Sequence, residues 1–122
     1  MDERKRKGDR GEAAVASYLK RRGYAILEKQ FRCRRGEIDL IARSADGVLC
    51  FVEVKTRKNA EFAEAREFVT PAKQRRLRAA AQFYLIKYGD ADALCRFDVA
   101  EVYLSEGIFR RSRISYIPQA FD

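Results

Sequence analysis

Gly36-Glu37-Ile38-Asp39-Leu40-Ile41 and Phe51-Val52-Glu53-Val54-Lys55 decide how this chain folds. Both stretches read as strands, and Ser44-Ala45-Asp46-Gly47 between them is a turn signal, so the two should pair as a hairpin. In the register that sets Ile41 against Phe51, Asp39 faces Glu53 on the same side of the sheet, because side chains alternate with period two. Directly opposed residues hold their Cβ atoms about 5 Å apart. Two carboxylates that close repel, so either one takes a proton or a cation sits between them. Lys55 lies two residues past Glu53 and joins the same face. This is the layout of a metal-dependent site that cleaves phosphodiesters. Magnesium takes oxygen ligands and keeps several waters, so one or two carboxylates suffice, and the backbone carbonyl of Val54 offers a further oxygen.

A surface charge pair is the competing explanation, since acids and lysines often alternate with apolar residues on a half-exposed strand. Two features weigh against it. Ile38, Leu40, Val52 and Val54 make the strands look central, and opposing two acids costs stability without a counter-ion.

Outward from the hairpin, Tyr24 to Phe31 reads as a first strand and Glu37 to Arg43 as the second. Val48 to Thr56 is the third, and its near-continuous apolar run predicts burial on both faces. Asp9 to Arg22 reads as a helix stopped by Gly23, with Val15, Ala16 and Leu19 on one face. Glu12 precedes Val15 by three and Ala16 by four, so it shares that apolar face. It reaches the site from there as a metal or water ligand, or it is an acid favoured by the helix dipole.

Arg57 to Phe68 is charged and reads as a loop. Thr70-Pro71 is a good helix start, and the helix should run to about Tyr88 with Gly89 as its stop. Leu77, Ala80, Ala81, Tyr84 and Tyr88 make its core stripe, while Lys73, Arg75, Arg76, Arg78 and Lys87 give it a basic exterior. Leu94 to Leu104 is a fourth strand, expected parallel to the third across the helical crossover. Ile108 to Ile117 alternates weakly, as an edge strand does. The whole reads as one α/β domain over residues 1–122, a mixed sheet flanked by helices, with residues 1–8 as a disordered basic arm.

The chain has 122 residues, 47% of them hydrophobic and 36% charged, with a formal net charge of +8. That balance favours a polyanionic partner, nucleic acid first and an anionic membrane second. No apolar run approaches the roughly 20 residues that span a bilayer, and no signal-peptide h-region follows the charged start. There is no histidine, which removes Ser-His-Asp and Cys-His catalysis and His-ligated zinc together. Cys33, Cys50 and Cys95 are widely spaced and read as reduced thiols of a cytoplasmic protein. No Walker lysine or Gly-x-Gly-x-x-Gly motif exists, against nucleotide hydrolysis and dehydrogenase chemistry.

Three basic clusters surround the acids: Arg32, Arg34 and Arg35 before the hairpin, Arg57 and Lys58 after it, and Lys73 with Arg76 at the second helix. Such runs are usually a solvated surface. Here the first two flank the carboxylates, where a phosphodiester backbone would lie. Arg96-Phe97-Asp98-Val99 is a charged pair on a strand, and Asp98 reads as a structural acid.

Gly11-Glu12-x-Ala14, Tyr24, Gly36-Glu37-Ile38-Asp39-Leu40-Ile41-Ala42, Phe51-Val52-Glu53-Val54-Lys55-x-Arg57, Lys73-x-x-Arg76 and Arg96-Phe97-Asp98-Val99 resemble the YraN family. The likeness runs from about Lys7 to Tyr103. That family is similar to the PD-(D/E)xK nucleases, archaeal Holliday-junction resolvases in particular. The resemblance implies a restriction-endonuclease-like core (helix, three antiparallel strands, helix, strand) and magnesium- or manganese-dependent cleavage of DNA. It assigns catalytic roles to Glu12, Asp39, Glu53 and Lys55. Ile38 stands where the superfamily name has Pro. Resolvases act as dimers on branched DNA, which implies a homodimer and a branched or structured substrate. The rival expectation is a catalytically inactive nucleic-acid-binding module that keeps the fold, and a third is a protein-interaction adaptor using the basic second helix.

Overall fold

The computed structural model describes residues 3–58, 69–89, 92–104 and 112–122. Its elements in chain order are α1 (Glu3–Arg21), β1 (Ala25–Cys33), β2 (Gly36–Arg43), β3 (Leu49–Lys58), α2 (Pro71–Tyr88), β4 (Cys95–Leu104) and β5 (Ser112–Phe121). The strands form one mixed sheet in the order β1-β2-β3-β4-β5. Only β3 and β4, joined through α2, run parallel; the other neighbours are antiparallel.

The hairpin folds as its turn chemistry dictates. Ser44 N–H donates to the Val48 carbonyl at 2.8 Å, Gly47 N–H donates to the Ser44 carbonyl at 2.9 Å, and Gly47 takes φ +89°. That conformation suits glycine. Ile41 pairs with Phe51, the register expected from the sequence. In α2, the Thr70 hydroxyl accepts from Lys73 N–H at 3.2 Å, Pro71 opens the helix, and Gly89 closes it in the left-handed region.

Two apolar cores sandwich the sheet. On one face Leu77, Ala80 and Tyr84 of α2 pack on Ile41, Leu49 and Phe51. On the other, Val15, Ala16 and Leu19 of α1 pack on Leu40, Cys50, Val52 and Val102. β3 feeds both faces, which explains its unbroken apolar run. Each fully buried Leu, Ile or Phe contributes roughly 1.5–3 kcal/mol, so these contacts fix where both helices sit.

Three boundaries move. α1 begins at Glu3, so residues 3–8 continue the helix where an arm was expected. Arg57 and Lys58 belong to β3 rather than to a loop, and 59–68 lie outside the described residues. β5 spans Ser112–Phe121, so the weak alternation placed the last strand four residues early; 105–111 also lie outside the described residues. Tyr88 is 52% exposed, not core, although its ring stands 4.8 Å from that of Tyr84. Among the described residues no helix is long and apolar enough to cross a membrane.

Candidate functional site

The β2–β3 ladder runs from Arg43 opposite Leu49 to Leu40 opposite Val52 and ends there. The next pair in register is Asp39 with Glu53. Instead of a further ladder bond, the Asp39 carboxylate accepts the Val54 N–H at 2.8 Å. A side chain therefore stands in for the partner strand's backbone, and the strands part around it. β2 also changes face here. Ile38 packs in the α2-side core and Leu40 in the α1-side core, although residues two apart on a regular strand share a face. Opposite this point on β1, Gln30 takes φ +50°, between the pairs Lys29–Leu40 and Phe31–Ile38. A non-glycine residue there costs of order 1–3 kcal/mol, and such positions cluster at functional sites.

Glu53 continues the α2-side face of β3 past Phe51 and is only 5% exposed. Lys73 Nζ lies 2.6 Å from its Oε1, and Lys55 Nζ lies 3.8 Å from the same oxygen. Lys73 was expected on the basic exterior of the helix. Its side chain instead reaches inward to the Glu53 carboxylate. The spacing carried that signal: Lys73 precedes Leu77 by four and Ala80 by seven, which places it on the core stripe.

Glu12 arrives from α1, one turn ahead of the buried Val15 and Ala16. A Cβ on Gly11 would collide with Thr56 Oγ1, so the absent side chain lets α1 press against β3 beside the site. The Gln30 amide donates to Glu12 Oε2 at 3.0 Å and to Asp9 Oδ1 at 3.2 Å. Glu12 Oε1 is buried and has no hydrogen-bond partner among the described residues. Glu12, Gln30 and Asp39 share a cleft of about 180 Å³. The sequence reading did not single out Gln30; its one signal was its register position across from Asp39.

Burial, then the charge of Glu53, then that of Glu12 push the Asp39 carboxyl up from 3.8 to about 8, against the pull of the Val54 N–H and Lys73. Burial also raises Glu12, opposed by its bond from Gln30. Burial lowers Lys55, and the neighbouring Lys73 lowers it further. For Lys73 burial pulls down, but the Glu53 carboxylate outweighs it and the amine is raised. The acids are thus crowded and under-solvated, while two ammonium groups compete for one of them.

Beside the acids opens a basic cleft of about 540 Å³, lined by Arg32, Arg34 and Arg35 of the β1–β2 corner and by Lys73 and Arg76 of α2. A Cβ on Gly36 would stand 2.5 Å from the Arg76 carbonyl oxygen, so this glycine lets the helix close on the corner. Arg32 is partly engaged, with Nε 3.1 Å from Glu37 Oε2. Arg57 was expected to face a phosphate backbone, and it is paired with an acid of β4. Its side chain is 16% exposed, with Nε 3.6 Å from the buried Glu101. The Lys58 side chain lies outside the described residues.

Among the described residues no three His, Cys, Asp or Glu side chains form a ready metal cluster. The donor set nevertheless suits magnesium, which needs few protein oxygens: Asp39, Glu53, the Val54 carbonyl and the unpartnered Oε1 of Glu12 are all hard ligands.

The family profile described as "Uncharacterised protein family UPF0102" matches residues 11–102. A UPF0102 protein of Symbiobacterium thermophilum is 47% identical over 117 residues, covering 96% of this chain and 97% of its own. A Clostridioides difficile relative of the same description is 43% identical over 117 residues, with 96% and 97% covered. One from Geobacter metallireducens is 42% identical over 115 residues, with 94% and 91% covered.

Proposed function

The chain belongs to the UPF0102 family, also called YraN, and from its site we propose that it is a magnesium- or manganese-dependent DNA endonuclease on a restriction-endonuclease-like core. The observation that carries this reading is Asp39 itself, buried with one backbone donor from Val54 and near Glu53 and Glu12, so that burial first and the neighbouring acids second push its carboxyl to about 8, beside an arginine-lined cleft. A structural site would relieve such crowding; a site for a cation has reason to keep it. Asp39, Glu53 and the Val54 carbonyl would hold the ion, with Glu12 as a direct ligand or through water. Bound there, a divalent ion supplies Lewis-acid polarisation of a phosphodiester and activation of water.

The chain's own groups do the rest. Arg34, Arg35 and Arg76 hold the backbone phosphates and set their register against the acids. Lys55 sits beside Glu53 with an amine that gives up its proton more readily than an exposed lysine. It can orient the attacking water or donate to charge developing on the phosphoryl oxygens. The substrate we favour is branched or structured DNA, on the resemblance to junction resolvases.

Wild-type protein should cut branched, flapped or single-stranded DNA in magnesium or manganese, and Glu53→Gln or Lys55→Ala should abolish the cutting. Absence of cleavage on every substrate in either metal defeats the enzyme reading. One observation favours a second reading, a non-catalytic nucleic-acid-binding module: Lys73 already places an ammonium on Glu53. Manganese titration separates the two, because the module binds DNA without binding the ion.

A further inference from the structure

Lys73 is the most tightly engaged cation at the site. Its Nζ is 2.6 Å from Glu53 Oε1, against 3.8 Å for Lys55 on the same oxygen. Glu53 is nearly buried, whereas the Lys73 side chain is 39% exposed and lines the basic cleft with Arg34, Arg35 and Arg76. One end of its range is therefore the carboxylate and the other is open cleft. Its backbone is fixed, since Thr70 caps its N–H and the helix is seated by Leu77. Only the flexible four-carbon stem needs to move.

We infer that Lys73 is an internal counter-cation, holding Glu53 until a divalent ion takes its place and then swinging into the basic cleft. This rests on the endonuclease reading, because it needs Glu53 to be a ligand. An ammonium and a divalent ion cannot share one carboxylate oxygen at close range without strong repulsion. Loading the ion onto Oε1, the oxygen that Lys73 holds, would break the Lys73–Glu53 pair, and that cost would be taken from the ion's affinity. Released, the ammonium stands among arginines, a place it keeps only if an anion such as a backbone phosphate is there. Metal loading and phosphate binding are thereby coupled through one side chain.

The test is manganese titration of the full chain by calorimetry and electron paramagnetic resonance, comparing wild type, Lys73→Met and Lys87→Gln. Lys87 lies in the last turn of α2, so its loss controls for net charge. Lys73→Met should bind manganese about three- to tenfold more tightly than wild type, with Lys87→Gln unchanged. In chelator, Lys73→Met should melt below wild type, because Glu53 then keeps only Lys55; manganese should raise its melting temperature by more than it raises that of wild type. Binding by wild type with equal or weaker affinity in Lys73→Met overturns this role and leaves the endonuclease reading standing. Failure of both proteins to bind manganese overturns both.

Discussion

Asp98 on β4 and Asp39 on β2 are both carboxylates taken into the sheet, and their surroundings differ in kind. Asp98 is completely buried and fully served. Arg96 Nε donates to its two oxygens at 3.0 and 3.1 Å, Gln119 N–H donates at 2.9 Å, and the Tyr116 hydroxyl donates as well. Arg96 in turn donates to the Tyr24 hydroxyl at 2.7 Å. That network fastens β5 to β4 and to the chain entering β1. Asp39 has one backbone donor, and its nearest charged neighbours include two more acids. A buried acid whose lone pairs are matched is structural. One left short of donors, among like charges, is what the proposed cation site would use.

The largest effect should come from breaking the matched acid. Asp98→Ala leaves the half-buried Arg96, the Tyr116 hydroxyl and the Gln119 N–H without their shared acceptor and should cost about 3–5 kcal/mol in urea unfolding; a loss below about 1 kcal/mol would erase the contrast. Asp39→Asn should do the reverse. The Asp39 carboxyl is raised from 3.8 to about 8, so the native state binds its proton more tightly than the unfolded chain does. Its contribution is therefore complete below about pH 4 and is lost as pH rises to 8. Asparagine mimics the protonated form. In chelator the variant should gain roughly 1–3 kcal/mol on wild type between pH 5 and pH 8, while manganese no longer shifts its melting temperature. Parallel stability–pH curves for the two proteins would show that Asp39 is not strained.

Gly11→Ala sharpens the comparison from the helix side. Its methyl would strike Thr56 and should cost about 1–2 kcal/mol, largely recovered by adding Thr56→Ala. No recovery in the double variant would mean that Thr56 does not set the seat of α1. Smallest in stability terms is the cleft. Arg34→Gln with Arg35→Gln should leave unfolding within about 0.5 kcal/mol yet flatten the salt dependence of duplex binding by about 0.9 per arginine. An unchanged slope would remove the cleft from the DNA path.

Much of this was legible residue by residue. The turn at Ser44–Gly47, the Ile41–Phe51 register, the caps of α2 and the α1 face carrying Glu12 all follow from local rules, and each recurs in the structure. β5 was misplaced because apolar alternation does not hold it. Pro118 and Gln119, the latter at φ +50°, break its pattern, and the Gln119 N–H is taken by Asp98 from the neighbouring strand. The Arg57–Glu101 pair was not legible because Glu101 lies forty-four residues on and meets Arg57 across the parallel β3–β4 pair. Lys73 and Gln30 were in view as letters, but a sequence does not say which acid a cation or an amide will reach.

The order of residues alone determined the hairpin and its Ile41–Phe51 register, because a tight turn and strand alternation act over a few residues. Only the tertiary structure decided how each acid is neutralised: Gln30 on Glu12, the Val54 N–H on Asp39 and Lys73 on Glu53. Those pairings depend on where two helices seat against opposite faces of the sheet, and that is set by the packing of the whole core.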